Sequence, residues 1–328
     1  MDSGAKSAAV IDGMFLDRVW SKLPEWLREL MRRSGLPYAL GFWAKYSRRH
    51  ALQTFAGTLA AIHDRYPRAS AEERGVLRGR FDRILDALVL PNGVRKTTYA
   101  MRAQDGLAWF LNEPAWRIEK PALRVLDLPS SSGRASLDSY TLLRRHYRIA
   151  GYVLADICFE VYYDPIRRCV FDGAGNLLQV QLSDDRYRSI YQPHAMGSLV
   201  SPLSRLLLLP EKVATARARK RHPFRGTRDL VPLRLVHPDV EPLLSEGVFS
   251  VRCCDVFALT YREEFDLVLS FNLLQRNYFP QPQIELGLRN LAAALTEGGY
   301  LLTGSSDAFG IAQKRDGALV TLHQSGDW

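Results

Sequence analysis

Two rhythms of apolar and polar positions divide this chain. Over roughly the first 113 residues the apolar positions recur at helical spacing. Trp20, Leu23, Trp26, Leu27 and Leu30 share one side of a helix, with Arg28, Glu29, Arg32 and Arg33 on the other. Ser34-Gly35-Leu36-Pro37 ends that helix. A second, aromatic-rich helix is expected over Tyr38 to His63, closed by Tyr66-Pro67. A third starts near Ser70, where Ser-Ala-Glu-Glu reads as an N-cap followed by first-turn acids, and stops at Pro91-Asn92-Gly93. A fourth spans Lys96 to Leu111. Trp20, Trp26, Phe42 and Trp43 lie on these stripes, and aromatics at helical spacing read as core of a helical cap; the sharper reading puts them against a membrane interface or a hydrophobic substrate.

Beyond a short linker, Pro114 to Pro121, the rhythm becomes that of alternating strands and helices. The strand in RVLDLPSSSG (Arg124 to Gly133) runs into a small-residue loop, a helix over Arg134 to His146, and the strand IAGYVLAD. Arg168 to Phe171 and Leu177 to Leu182, separated by Asp-Gly-Ala-Gly-Asn, read as a β-hairpin. An irregular and helical stretch follows, Tyr187 to Arg228. From Leu230 the α/β alternation returns: LVPLRLVHP, a helix over Asp239 to Glu246, and the strand VFSVRCCDVF. FDLVLSF, Phe265 to Phe271, is an uninterrupted apolar run, the mark of a strand buried on both faces. A helix over Ile284 to Thr296 is capped by Glu297-Gly298-Gly299, YLLTG forms the next strand, and ALVTLHQSGDW suits an antiparallel edge. The expected fold is α/β, a doubly wound and mostly parallel sheet. A helical cap over residues 1–113 precedes a Rossmann-like domain over 114–328, with an insertion at about 164–230.

Composition narrows the picture further. The 328 residues are 47% hydrophobic, enough for a sizeable core, and no apolar run is long enough to cross a bilayer. The N-terminal MDSGAKSAAVIDG lacks the charged-then-apolar pattern of an export signal, so a cytoplasmic location is expected. Cys158, Cys169, Cys253 and Cys254 have no metal-ligand spacing and read as reduced core residues. The formal charge of +9 implies attraction to something anionic. The densest basic stretch, KVATARARKRHPFRGTR over 212–228, follows the apolar Leu199 to Leu209. That pair suits an amphipathic surface element at a membrane, a substrate lid, or a packed helix with a solvated tip.

Candidate chemistry sits in the first βαβ unit. A strand, a tight loop of small residues, a helix and a strand ending in an acid form a nucleoside-binding unit: backbone N–H groups can approach the ligand, and Asp156 can accept hydrogen bonds from both ribose hydroxyls. No Lys closes the loop as in a P-loop, and no Gly-x-Gly-x-x-Gly turn is present. Taken together, residues 124–304 resemble the class I S-adenosylmethionine-dependent methyltransferases. VLDLPSSSG resembles the first motif, VLAD the end of the second strand, RCCDVF the third, and FDLVLSFNLL with LTEGGYLLTG the fourth strand and its helix–Gly-Gly–strand sequel. The resemblance implies S-adenosyl-L-methionine as cofactor, held by Asp127, Leu128, Pro129, Ser131, Gly133, Asp156, Ile157, Asp255, Val256, Ser270 and Phe271. Asp156 then takes the ribose and Asp255 the adenine amine. Pro129 and Ser131 stand where the family usually has glycines, which removes one N–H donor and adds a Cβ near the ligand. LADI and FNLLQRNYF also resemble the chemotaxis-receptor glutamate methyltransferases.

Methyl transfer is an in-line displacement, so a dedicated base is optional. His194, His237 and Tyr278 are the candidates for one, while Asn272 and Tyr278 are placed to line an acceptor pocket after the fourth strand. The acceptor is an unidentified O, N or C centre on a small molecule, a lipid-like compound or a protein side chain, and no metal is expected. The competing reading is an inactive methyltransferase-like scaffold that docks on an anionic membrane or nucleic-acid surface through 212–228.

Overall fold

The computed structural model describes residues 50–96, 103–191, 209–276, 278–305 and 308–326. The helix expected around Trp20 to Leu30, the aromatics Trp20, Trp26, Phe42 and Trp43, the candidate His194 and the apolar residues 199–208 lie outside them. In chain order the elements are β1 (His50–Ala51), α1 (Leu59–Arg65), α2 (Ala71–Ala87), α3 (Gln104–Asn112), β2 (Leu123–Asp127), α4 (Arg134–Leu143), β3 (Ile149–Asp156) and β4 (Glu160–Asp164). They continue with β5 (Cys169–Asp172), β6 (Leu177–Gln181), β7 (Arg186–Ser189), α5 (Leu209–Arg221), β8 (Val231–Arg234), α6 (Glu241–Ser245) and β9 (Phe249–Cys253). The last are β10 (Phe265–Phe271), α7 (Gln281–Ala294), β11 (Leu295–Gly304), β12 (Phe309–Arg315) and β13 (Ala318–Ser325).

Two compact units emerge, each built from separate stretches of chain. Among the described residues, the first takes those within 50–58, 87–95 and 162–231; the second takes those within 59–86, 96–161 and 232–326. This division does not run at the 113/114 boundary expected from the sequence, because α1, α2 and α3 fall in the second unit with the parallel sheet.

In the first unit, β1, β7, β6 and β5 succeed one another across an antiparallel sheet. The hairpin expected around Asp172 to Asn176 is present. Asp172 closes it, its Oδ1 accepting from Ala174 N at 3.0 Å and Asn176 N at 2.8 Å. Phe224, Ala218 and Leu230 pack on Cys169, Phe171, Leu177, Val180 and Ile190, so Ala218 and Phe224 of the basic segment face inward, while its Val213 is exposed. The long helix expected over Tyr38 to His63 is not formed in its described part. From residue 50 the chain makes β1, two short 3-10 turns and only then α1. Sheet contacts overrule the helical pattern there: Leu52 N donates to Asp185 O at 2.9 Å, and Ala56 N to the buried Gln179 Oε1 at 2.9 Å.

The second unit holds a seven-stranded sheet of order β13-β12-β11-β10-β2-β3-β9. Strands β11, β10, β2, β3 and β9 pair in parallel, and β12 and β13 add an antiparallel edge. This is the doubly wound, mostly parallel α/β sheet anticipated from the sequence. All seven residues of β10 are buried, because cores lie on both faces of the sheet. One core joins Leu107 and Phe110 of α3 to Val125, Tyr152, Leu154, Leu267 and Leu269; the other joins Leu126, Ala155, Val268 and Leu301 to Ile284 and Leu291 of α7. Helix α2 starts at the capping box read from the sequence: Ser70 N donates to Glu73 Oε2 at 2.9 Å, and Glu73 N to Ser70 Oγ at 3.3 Å. The cysteines are free, but Cys253 is exposed rather than core, since the outer end of β9 lies at the sheet edge. Among the described residues no helix is long and apolar enough to cross a membrane.

Candidate functional site

Strand order reverses between β2 and β10: the chain proceeds from β2 to β3 and β9 on one side, and from β10 to β11 on the other. In an open α/β sheet the crevice beyond the carboxyl ends of the strands at such a point is where ligands bind. The residues arriving there are Asp127, Asp156, Phe271 and the loop 128–133, with Asp255 following β9.

The loop is pinned by its own backbone. Leu128 N donates to Leu269 O at 2.9 Å, tying its start across to β10. Ser130 donates to Ala155 O through N at 2.8 Å and through Oγ at 3.2 Å. Ser131 adopts φ 55°, Gly133 adopts φ 79° at the start of α4, and Gly133 N closes onto Ser130 O at 2.9 Å. A Cβ on Gly133 would lie 2.9 Å from Leu154 Cδ1 and 3.3 Å from Val240 Cγ2, so this glycine is required for close packing as well as for its left-handed backbone. The N–H groups of Leu128, Ser130, Ser131 and Gly133 are thus bonded within the protein, whereas the sequence suggested that they face a ligand.

Asp127 is buried beneath this loop. Its Oδ2 accepts from Ser136 Oγ at 2.6 Å and Tyr152 OH at 3.3 Å. Asp156 is buried too, and both of its oxygens are taken. Oδ2 accepts from Ser131 N at 2.8 Å, and Oδ1 meets the Lys96 ammonium at 2.5 Å, with Lys96 only 2% exposed. Lys96 is fixed in turn: its carbonyl accepts from Ser131 Oγ at 2.8 Å, and its Nζ stands 5.5 Å from the centre of the Phe159 ring. Nothing in the sequence marks Lys96, which lies sixty positions before its partner in a segment without a motif.

The remaining candidates are distributed around the strand ends. Asp255 is exposed and caps a 3-10 turn, accepting from Phe257 N at 2.9 Å, while Val256 beside it is buried. Ile157, next to Asp156, leaves 43% of its surface open. Leu128 and Phe271 are buried, and the pyrrolidine of Pro129 is half-buried. Gly106 of α3 lets that helix approach Phe271, since a Cβ there would lie 3.2 Å from the Phe271 ring. Ser132 Oγ and Ser270 Oγ are buried without a hydrogen-bond partner, the only such hydroxyls among the described residues of the loop and of β10. Asn272 adopts φ 60°, donates from its N to Gly304 O at 2.7 Å and accepts at Oδ1 from Gln275 Nε2 at 3.2 Å. Tyr278 is 41% exposed. Burial pushes the Cys158 thiol up and that of Cys254 to about 11, so neither is a thiolate nucleophile at neutral pH.

His237 is in the core rather than open to an acceptor. Its backbone N holds Ser132 O at 2.8 Å, and its ring sits edge-on to Phe81 at 5.3 Å. Nδ1 accepts from Asp239 N at 3.2 Å, which leaves the neutral ring's proton on Nε2, facing Asp82 at 3.8 Å. Burial lowers its pKa to about 4, against the pull of Asp239 and with help from Arg134, Arg78 and His63. A folded pKa below the unfolded value of 6.5 means that the unfolded chain binds the extra proton. Its contribution to stability is therefore complete above pH 6.5 and is lost as pH falls towards 4. Each tenfold change in proton affinity corresponds to roughly 1.4 kcal/mol, so the expected loss is a few kcal/mol. Asp82, whose pKa burial raises, acts in the opposite sense. Chemical denaturation from pH 7 to 4 should show a steeper loss for the native chain than for His237→Gln. Parallel profiles would refute the assignment.

No protein-family model matches this sequence, and no curated protein matches it. Distant likenesses occur among solved structures. The cyclase SpnF is 13% identical over 62% of this chain and 43% of its own, with a TM-score of 0.26. The CMeT domain of the citrinin polyketide synthase is 15% identical over 71% and 39%, with a TM-score of 0.31. The N-methyltransferase NodS from Bradyrhizobium japonicum WM9, in complex with S-adenosyl-l-homocysteine, is 11% identical over 68% and 71%, with a TM-score of 0.29. The chain thus spans less than half the length of the first two. Likeness this distant transfers neither a reaction nor a ligand.

Proposed function

We propose that this chain is an S-adenosyl-L-methionine-dependent methyltransferase whose cofactor binds at the carboxyl ends of β2, β3 and β9. The observation that carries the reading is the arrival of Asp127, Asp156 and Asp255 at or just beyond three successive strand ends, beside the β2/β10 reversal. The residues present fit a nucleoside. Asp156 suits a ribose diol once Lys96 gives way, the exposed Ile157 suits the face of an adenine, and Asp255, followed by the buried Val256, suits its amine. Ser132 and Ser270, with orphaned buried hydroxyls close to the crevice, suit polar contacts. Pro129, Ser131, Gly133, Leu128 and Phe271 shape the walls.

The cofactor supplies an electrophilic methyl group. The protein's part is to orient it, exclude water and align an acceptor, and good alignment alone is worth about 7–11 kcal/mol. Asn272 is held by Gly304 O and Gln275, leaving its Nδ2 hydrogens for an acceptor's oxygen or nitrogen. Tyr278 follows on the same loop, its N donating to Gln275 O at 2.9 Å, and we assign it the outer wall of the acceptor pocket. With His237 enclosed in the core, the chemistry is proposed to rely on alignment. The acceptor is an O, N or C centre of a small molecule, a lipid-like compound or a protein side chain. The scaffold reading rests on seven cations and no acid between residues 212 and 228, and it predicts salt-sensitive adhesion to anionic vesicles or RNA without any nucleoside binding.

Calorimetric titration with S-adenosylhomocysteine tests the cofactor. Binding is expected, and Asp255→Ala should weaken it about tenfold while leaving the fold intact, because one exposed acceptor is lost. Absence of binding by the folded native chain and by a Lys96 variant alike would overturn the proposal.

A further inference from the structure

The pairing at the end of β3 has a consequence for ligand binding that follows if the cofactor reading holds. Asp156 is the residue a ribose diol needs, yet its two oxygens are already bonded, one to a backbone amide of the loop and one to an ammonium. The amide contact leaves room for a ligand, since a carboxylate oxygen accepts more than one hydrogen bond. The ammonium contact is a buried, charge-assisted pair: Lys96 Nζ lies 2.5 Å from Oδ1 and 5.5 Å from the centre of the Phe159 ring, with the lysine 2% exposed, so a hydroxyl approaching Oδ1 competes with it. The lysine is long and unbranched, its backbone is anchored separately through Ser131 Oγ, and its head group can leave while its carbonyl stays in place.

We infer that Lys96 is a resident competitor for the ribose subsite: it neutralises Asp156 in the free protein and withdraws when a ribose diol binds. The pair therefore sets a threshold for nucleoside affinity. It keeps a buried carboxylate from standing unpaired when the site is empty, and it favours ligands that can replace a charge-assisted bond with two hydroxyl donors. A nucleoside lacking either hydroxyl leaves the ion pair in place.

Two measurements test this. In calorimetry, Lys96→Met is expected to bind S-adenosylhomocysteine and adenosine about tenfold more tightly than the native chain, because no ammonium has to be displaced. Its affinity for 2′,3′-dideoxyadenosine should be unchanged. In the native chain, which needs no variant to fold, amine acetylation read by mass spectrometry should find Lys96 protected alone, modified in saturating adenosine, and protected in 2′,3′-dideoxyadenosine. If Lys96→Met binds adenosine equally or more weakly, or if Lys96 stays protected with adenosine bound, the lysine belongs to the ribose cradle and the inference fails while the cofactor reading stands. If neither protein binds any nucleoside, the cofactor reading fails and takes this inference with it.

Discussion

Replacing Asp156 with alanine should destabilise the protein by about 3–5 kcal/mol, the usual cost of removing one partner from a buried ion pair. The reason is what remains: the Lys96 ammonium, 2% exposed, with no carboxylate, and the Ser131 amide with no acceptor. The melting temperature should fall by roughly 5 °C. The double variant Lys96→Met/Asp156→Ala should recover much of this loss, since an apolar pair carries no desolvated charge. Thermal and urea unfolding of the four members of the cycle would settle the matter. An Asp156→Ala variant within about 0.5 kcal/mol of the native chain would mean that the pair does not form in solution.

Gly304→Ala should be nearly as damaging, at about 3 kcal/mol, through crowding of one backbone segment against another. Gly304 sits at the end of β11 with φ 154°, and an added Cβ would lie 2.2 Å from Ala308 O and 2.6 Å from Phe309 Cα. Both neighbours are backbone and cannot rotate away. Since Gly304 O also accepts from Asn272 N at 2.7 Å, the variant should also displace Asn272, proposed to line the acceptor pocket. Gly298→Ala is the control: its φ is also positive, at 77°, but its Cβ would meet nothing within 4 Å. The expected cost there is the backbone term alone, about 1 kcal/mol. Equal melting temperatures for the two variants would show that the close approach at Gly304 is not present.

Much of the sheet is written locally. IAGYVLAD and FDLVLSF are strands over the residues the apolar pattern marks, Ile149–Asp156 and Phe265–Phe271; the second is buried throughout, as a strand covered on both faces needs an unbroken apolar run, while the first is buried mainly towards its carboxyl end. The 172–176 hairpin and the Ser70 capping box were legible for the same reason: each is closed by side chains within four residues of the backbone they bond. The region before Leu59 was not, since helical spacing around Phe55 competes with sheet contacts to Gln179 and Asp185, more than a hundred positions away.

The site divides along the same line. The sequence by itself determined that an acid ends β3, that a small-residue loop joins β2 to α4, and that Asp255 follows β9, because strand ends and loops are local features. Only the tertiary structure decided what those groups do. It closed the loop's amides onto Ala155, Asp156 and Leu269, enclosed His237 beneath Phe81, and brought Lys96 onto Asp156. A buried charge must find a partner wherever the fold supplies one, and the choice of that partner is a property of packing, which the local order of residues does not encode.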